Sequence, residues 1–225
     1  LNANFSQRAS LAPHQHQWVA SPQPGVQRVM LDRVGDEKAR ATSLVRYAPA
    51  STFPSHNHPG GEEILVLEGE FAEGDQRFPA GWYMRNPPGS SHQPASAPGA
   101  LLFVKLWQMP AHNTAHVRVD TRDPAAWLTD GERAVCPLYA DDAEQVALHR
   151  LRPGEALFST ALPRPPVQAE LLVISGTLRV DAERLTPGSW LRLPAHDQPV
   201  LQAGDEGATV YLKTGEPSRL ERELA

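Results

Sequence analysis

The stretch His56-Asn57-His58-Pro59-Gly60-Gly61-Glu62-Glu63 carries two imidazoles and a carboxylate at spacings that converge when the chain is extended. Side chains on a strand alternate faces, so His56 and His58 share one side and Asn57 takes the other. The Pro-Gly-Gly turn reverses the chain and returns Glu62, at the head of the apolar run Ile64 to Leu67, to the same place. Further on, Gly81, Pro87 and Gly89 precede His92, which brings a third imidazole from a later strand. The predicted ligands are therefore His56, His58, Glu62 and His92, around one divalent metal ion per chain. Imidazole suits Zn, Fe, Ni or Mn, and the carboxylate moves the set toward harder ions without choosing among them.

Working outward, the chain contains the same unit twice. Glu63 to Phe71 aligns with Glu170 to Leu178, Gly69 and Gly81 are spaced as Gly176 and Gly188 are, and Gly81 to Pro87 matches Gly188 to Pro194. Fixed spacing of this kind points to duplication. Short alternating apolar segments punctuated by Gly and Pro predict an all-β protein made of two tandem small β-barrels. The expected division is 1–112, an N-terminal arm plus the metal-binding unit, and 113–225, a degenerate second unit without metal ligands. In that second copy Ala169 stands for Glu62, Pro199 stands for His92, and the His-x-His region has become the run Leu162-Pro163-Arg164-Pro165-Pro166.

The remaining histidines are read as bland. His14 and His16 have no Glu at the required distance, His112 and His116 fall in the connecting segment, and His149, His196 and Asp197 fit no common spacing. Beside the site, Tyr47, Phe53, Phe71, Tyr83, Arg85, Phe103, Lys105 and Trp107 lie on strands or turns next to the ligands. Alternation does not say which of them point inward. An inward Arg85 or Lys105 would suggest an anionic ligand; outward, each would only solubilise.

Composition sets outer bounds. The chain has 225 residues, 21 basic and 26 acidic, for a net charge of −5, which argues against a sequence-independent grip on nucleic acid. No apolar run is long enough to cross a bilayer, so no membrane association is expected. With a single cysteine and no visible secretory signal, a cytoplasmic location is the expectation. Cys136 is read as a small buried residue, and Pro217 to Ala225 as a short solvated helix or frayed tail.

The first copy resembles the cupin superfamily at eight fixed positions: His56, His58, Glu62 and Gly69, then Gly81, Pro87, Gly89 and His92 close the second motif. The six-residue spacing to Gly69 singles out Glu62 over Glu63 as the carboxylate ligand. The runs Val45-Arg46-Tyr47-Ala48-Pro49, Leu65 to Phe71 and Arg85 to His92, with Leu102-Phe103-Val104-Lys105, narrow the resemblance to the ChrR-like cupin family, over about Trp18 to Trp107. The resemblance implies a bicupin of jelly-roll type. It also implies two function classes. One is a sensory module, since that family is named for a two-domain anti-sigma factor whose helical domain holds a sigma factor through its own zinc site. The other is a non-haem metal dioxygenase or oxidoreductase acting on a small diketone or hydroxyaryl ketone. The His and Cys-x-x-Cys zinc motif of the sigma-binding domain is missing from this sequence, so that half is expected to be absent from the chain. A homodimer packed through the arm from Asn2 to Pro24 is expected, with either a protein partner in signalling or a small-molecule ligand in the first barrel.

Overall fold

Strands carry most of the buried positions of this chain, and the central ones are buried on both faces. The computed structural model describes residues 1–36, 39–131, 133–158 and 167–215. Among these, the regular elements are strands apart from two single-turn 3-10 segments, Pro13–Gln15 and Pro124–Ala126. The fold is the all-β, doubled jelly roll that the repeat predicts. The Pro-rich run Leu162 to Pro166 and the tail from Pro217 lie outside the described residues.

Two compact units make up the chain. The first comprises Leu1–Ala3 and Gln17–Arg122 among the described residues. Its main sheet runs, in spatial order, Val117–Asp120, Trp82–Asn86, Glu62–Glu73, Ala100–Leu106, Arg40–Tyr47, Val26–Val34 and Val19–Ala20. The far half of Glu62–Glu73 crosses to a second layer, where it pairs with Gln76–Pro79 and Pro94–Ser96. A separate ribbon joins His56–His58 to Ser90–His92.

The crossing depends on a bulge. Leu102 faces Val66 but Leu101 faces Glu68, so Leu67 is an extra residue with no partner. One extra residue inverts the alternation that follows it. Ile64 and Val66 before the bulge, and Phe71 after it, consequently meet in one core with Val26, Tyr47, Met84, Leu102 and Val104. Just beyond, Gly69 has φ +69°, and a Cβ there would run into the Gly99 carbonyl oxygen. Only glycine fits that close approach.

The second unit comprises Asn4–His16 and, among the described residues, the chain from Asp123 to Gly215. Its sheet order is Ala9–Leu11, Trp190–Leu193, Gln168–Val180, Leu201–Gly215, Glu144–Leu151, Arg133–Ala140 and Leu128–Asp130. The register repeats that of the first unit, including an extra residue, Ile174, between Val173 and Ser175. The N-terminal segment, expected to pack on another copy, is used inside the chain: Ala9–Leu11 pairs with Trp190–Leu193, and Phe5 is buried with Arg192 over its ring at 4.0 Å. Strand Val117–Asp120, past the boundary expected near residue 112, pairs with Trp82–Asn86 in the first unit.

Candidate metal centre

In the ribbon of His56–His58 and Ser90–His92, His92 lies directly opposite His56 and Ser90 opposite His58. Directly opposite and diagonal side chains on one face of a strand pair are near neighbours. The three rings stack edge to face with centroids 4.6 to 5.0 Å apart. Their ligand atoms all lie within 4.8 Å of one another. Among the described residues this is the one cluster of three or more His, Cys, Asp or Glu side chains that could hold a metal ion. His14, His16, His112, His116, His149 and His196 join no such cluster.

Glu62 enters from the main sheet. Its Oε2 is 3.4 Å from His58 Nε2 and 3.5 Å from His92 Nε2, and the two Nε2 atoms are 2.8 Å apart. At metal–nitrogen bonds near 2.1 Å, two imidazoles at right angles on one ion would set their nitrogens about 3 Å apart. The three imidazoles therefore suit a single ion with little adjustment, and Glu62 lies beside two of them without joining the three-histidine cluster. Glu63, one residue on, takes the other face of the strand and pairs with Arg85 at 3.3 Å.

Backbone and side-chain partners hold the rings. His56 Nδ1 sits 3.0 Å from the Pro54 carbonyl oxygen, and His92 Nδ1 sits 2.6 Å from Glu73 Oε1. Each contact assigns the Nδ1 proton and leaves Nε2 bare and aimed inward, the usual support of a metal-bound imidazole. Asn86 Nδ2 donates to both Glu62 and Glu73 at 3.3 Å. Arg118 Nη2 donates to Glu73 Oε2 at 3.0 Å and to Asn86 Oδ1 at 2.7 Å.

Electrostatics follow from this packing. Burial, reinforced by the other two imidazoles, pushes His58 down to about 3. Burial pushes the Glu62 carboxyl up to about 7. Burial also opposes charge on His92, but the Glu73 hydrogen bond and the Glu62 charge outweigh it and raise its pKa. The Glu73 carboxyl, although buried, is held below its usual range by His92 and Arg118.

The cluster opens on a cavity of about 270 Å³. Tyr47, Phe53, Phe71 and Trp107 line it, together with Val45, Ile64, Leu102 and Val104. Phe53 and Phe71 each lie 6.0 Å from an imidazole, His56 and His92 respectively. Of the other neighbours named from the sequence, Tyr83, Arg85, Phe103 and Lys105 do not line it, because they occupy the opposite face of their strands. Arg85 and Lys105 are nonetheless 0% and 1% exposed. They neither bind a ligand in the cavity nor solubilise: Arg85 answers Glu63, and Lys105 Nζ donates to Thr42 Oγ1 at 3.1 Å. Cys136 is buried as expected, with burial raising its thiol to about 11.

Glu73, Asn86 and Arg118 were not foreseen. Strict alternation sets Glu73 on the opposite face from Glu62, and only the bulge at Leu67 turns it inward. Asn86 could have been read as the neighbour of Pro87 in the second motif, but its partner Glu62 becomes visible only from the cross-strand register.

Comparison with known proteins bears on the fold and the family. Residues 6–110 match the family described as the ChrR Cupin-like domain. Over these residues the chain is similar to ChrR-type cupins. No functionally curated protein matches the sequence. Among solved structures, a candidate dioxygenase from Nostoc punctiforme is similar at a TM-score of 0.76 and 15% identity, covering 95% of this chain and 84% of that one. A bacterial pirin from Escherichia coli in complex with nickel(II) has a TM-score of 0.69 at 12% identity, covering 94% and 100%. A Cupin 2 conserved barrel domain protein from Leptotrichia buccalis has a TM-score of 0.59 at 13% identity, covering 88% and 92%. At such identities the likeness is one of fold. Among the described residues, no helix is long and apolar enough to cross a membrane.

Proposed function

We propose that the first unit holds one divalent metal ion through His56, His58, His92 and Glu62, and uses it to activate a small organic ligand, as a metal-dependent oxidoreductase of the dioxygenase kind. The observation that carries this reading is the apolar cavity onto which the imidazole cluster opens, which a purely structural metal site does not need. Four protein donors complete a tetrahedral zinc site but leave room on a six-coordinate iron, nickel or manganese ion. When bound, such an ion supplies Lewis-acid polarisation of oxygen donors. The chain's own residues do the rest. Glu73 and the Pro54 carbonyl oxygen hold the Nδ1 protons of His92 and His56, Asn86 steadies Glu62, and the aromatic walls keep water from the ligand's body.

Elemental analysis after anaerobic purification tests the first half: one metal per chain is expected, lost in His58→Ala. Loading the apoprotein separately with ferrous iron and with zinc, then following oxygen consumption against β-diketones and hydroxyaryl ketones, tests the second. Turnover with iron alone supports the enzyme.

The family match favours a second reading, a sensory module whose output is a protein interface. It gains if no metal gives turnover. This chain by itself is not expected to inhibit a sigma factor, because it lacks the His and Cys-x-x-Cys zinc motif. A twofold homodimer is part of the proposal on the general frequency of that symmetry; light scattering at micromolar concentration checks it.

A further inference from the structure

The wall of the same cavity contains a second charged group, Arg28. Strand Val26–Val34 turns Val26 and Arg28 into the interior. Cross-strand register sets Arg28 opposite Val45, Val45 opposite Leu102, and Leu102 opposite Val66. On the same inner face, Leu106 stands opposite Glu62. Arg28 therefore lies three strands from the strand of Glu62, about 14 Å across the strands at the usual spacing of about 4.8 Å, and Glu62 is four residues further along that strand from Val66.

Its guanidinium is under-used. Nη2 donates to Ser21 Oγ at 2.8 Å. Among the described residues no carboxylate pairs with Arg28, and its Nε and Nη1 make no hydrogen bond. Glu62 is the one carboxylate lining the cavity, and it is turned to His58 and His92. Burial, with the nearby charge of Arg33 second, disfavours the charged form of Arg28. A tether to Ser21 occupies one of five donors in a fork shaped for carboxylate. Between the two polar ends the walls are Val45, Phe53, Phe71, Leu102 and Val104.

We infer that the cavity takes a small organic anion, with its carboxylate on Arg28 and Ser21, its apolar body between the aromatic walls, and oxygen donors at its other end toward the imidazole cluster. Only that last contact rests on the metal reading above.

The test uses the whole chain loaded with manganese(II) and two probes with the same chelating head, pentane-2,4-dione and its acid-bearing relative 4,6-dioxoheptanoate. Calorimetric titration should show the acid binding at least about tenfold more tightly, the yield of one hydrogen bond to a charged group. Arg28→Gln should abolish that preference and leave the affinity for pentane-2,4-dione within about twofold. If Arg28→Gln fails to fold, Arg28→Lys carries the test; losing the planar fork should cut the preference severalfold. Equal affinity for the two probes, no binding of the acid, or a preference unchanged in the variants overturns the inference. A chain that binds no metal, yet keeps an Arg28-dependent preference for the acid, defeats the proposed function and leaves the anion site standing.

Discussion

Ile64, Val66, Leu102 and Val104 of the first unit have Leu171, Val173, Val210 and Leu212 as counterparts in the second, at the same places in the ladder. Around them every polar member of the site is exchanged: Ala169 stands for Glu62, Leu193 for Asn86, Val180 for Glu73 and Ser10 for Arg118. The second interior is a continuous apolar cluster containing Ala169, Leu171, Val180, Leu193 and Leu212. A cavity of about 370 Å³ borders this cluster at Leu157 and Leu212, with His149 at the ladder place of Val45 and Val135 at that of Arg28; it has one imidazole and no carboxylate among its lining residues. Features that hold strands together are kept in both units. Gly176, like Gly69, sits where a Cβ would strike a carbonyl oxygen, that of Gly207. The cross-strand set Glu63, Arg85 and Lys105 recurs as Glu170, Arg192 and Lys213, the last of them half-buried.

The difference teaches that the strand ladder is kept without the polar network, which is exchanged at every one of these positions. A buried carboxylate or amide left without its partner costs about 1–3 kcal/mol. Removing Glu62 takes one of the two acceptors from Asn86 Nδ2, while Asn86, Glu73 and Arg118 keep their bonds to one another. An apolar filling avoids that cost, at the loss of any chemistry.

The largest expected effect is metal removal. If metal is supplied at about a thousandfold above its dissociation constant, it stabilises the first unit by about 4 kcal/mol. Chelation should remove that from the first unit only, read as lost hydrogen-exchange protection in Glu62–Glu73 with Gln168–Val180 unchanged. Equal loss in both strands would break the comparison.

Core truncation sharpens it next. Leu171→Ala should cost toward the upper part of the 2–5 kcal/mol range, and Ile64→Ala, which already borders a cavity, toward the lower part. Denaturant titration gives the order, and a reversal would show the second interior to be the looser one. A smaller effect, on affinity, separates the three carboxylates. Glu73→Gln should weaken metal binding by about 10- to 100-fold. Glu62→Gln should weaken it more, and Glu63→Gln should leave affinity unchanged while lowering stability through Arg85.

The smallest effect concerns acid and belongs to the second unit. Glu155 accepts from Arg133 Nε at 2.7 Å and from the Arg152 backbone N–H at 2.9 Å, while Arg133 donates to the Leu157 carbonyl. Burial alone would raise the Glu155 pKa, but these bonds win and lower it from its ordinary 4.5. A depressed carboxylate stabilises the fold above its unfolded value and loses that contribution as pH falls through the lower folded one. Exchange protection around Glu155 should therefore decline below about pH 4.5, and Glu155→Gln should abolish the pH dependence.

Sequence by itself determined what depends on period and spacing. A two-residue period sets His56 and His58 on one side, the Pro-Gly-Gly turn returns Glu62, and equal glycine intervals reveal the second unit. The Ala169 and Pro199 replacements were legible for the same reason, since a repeat carries its own reference. Tertiary structure alone decided what depends on pairing between distant strands. The unpaired Leu67 inverts the alternation and turns Phe71 and Glu73 inward, which no local pattern signals, because a bulge is defined by the residue its partner strand lacks. Arg28 joins the cavity through a three-strand register, and Arg85 and Lys105 are buried on a face that alternation leaves unassigned. The strand Ala9–Leu11 finds its partner some 180 residues away at Trp190–Leu193, because hydrogen bonds between strands carry no record of sequence distance.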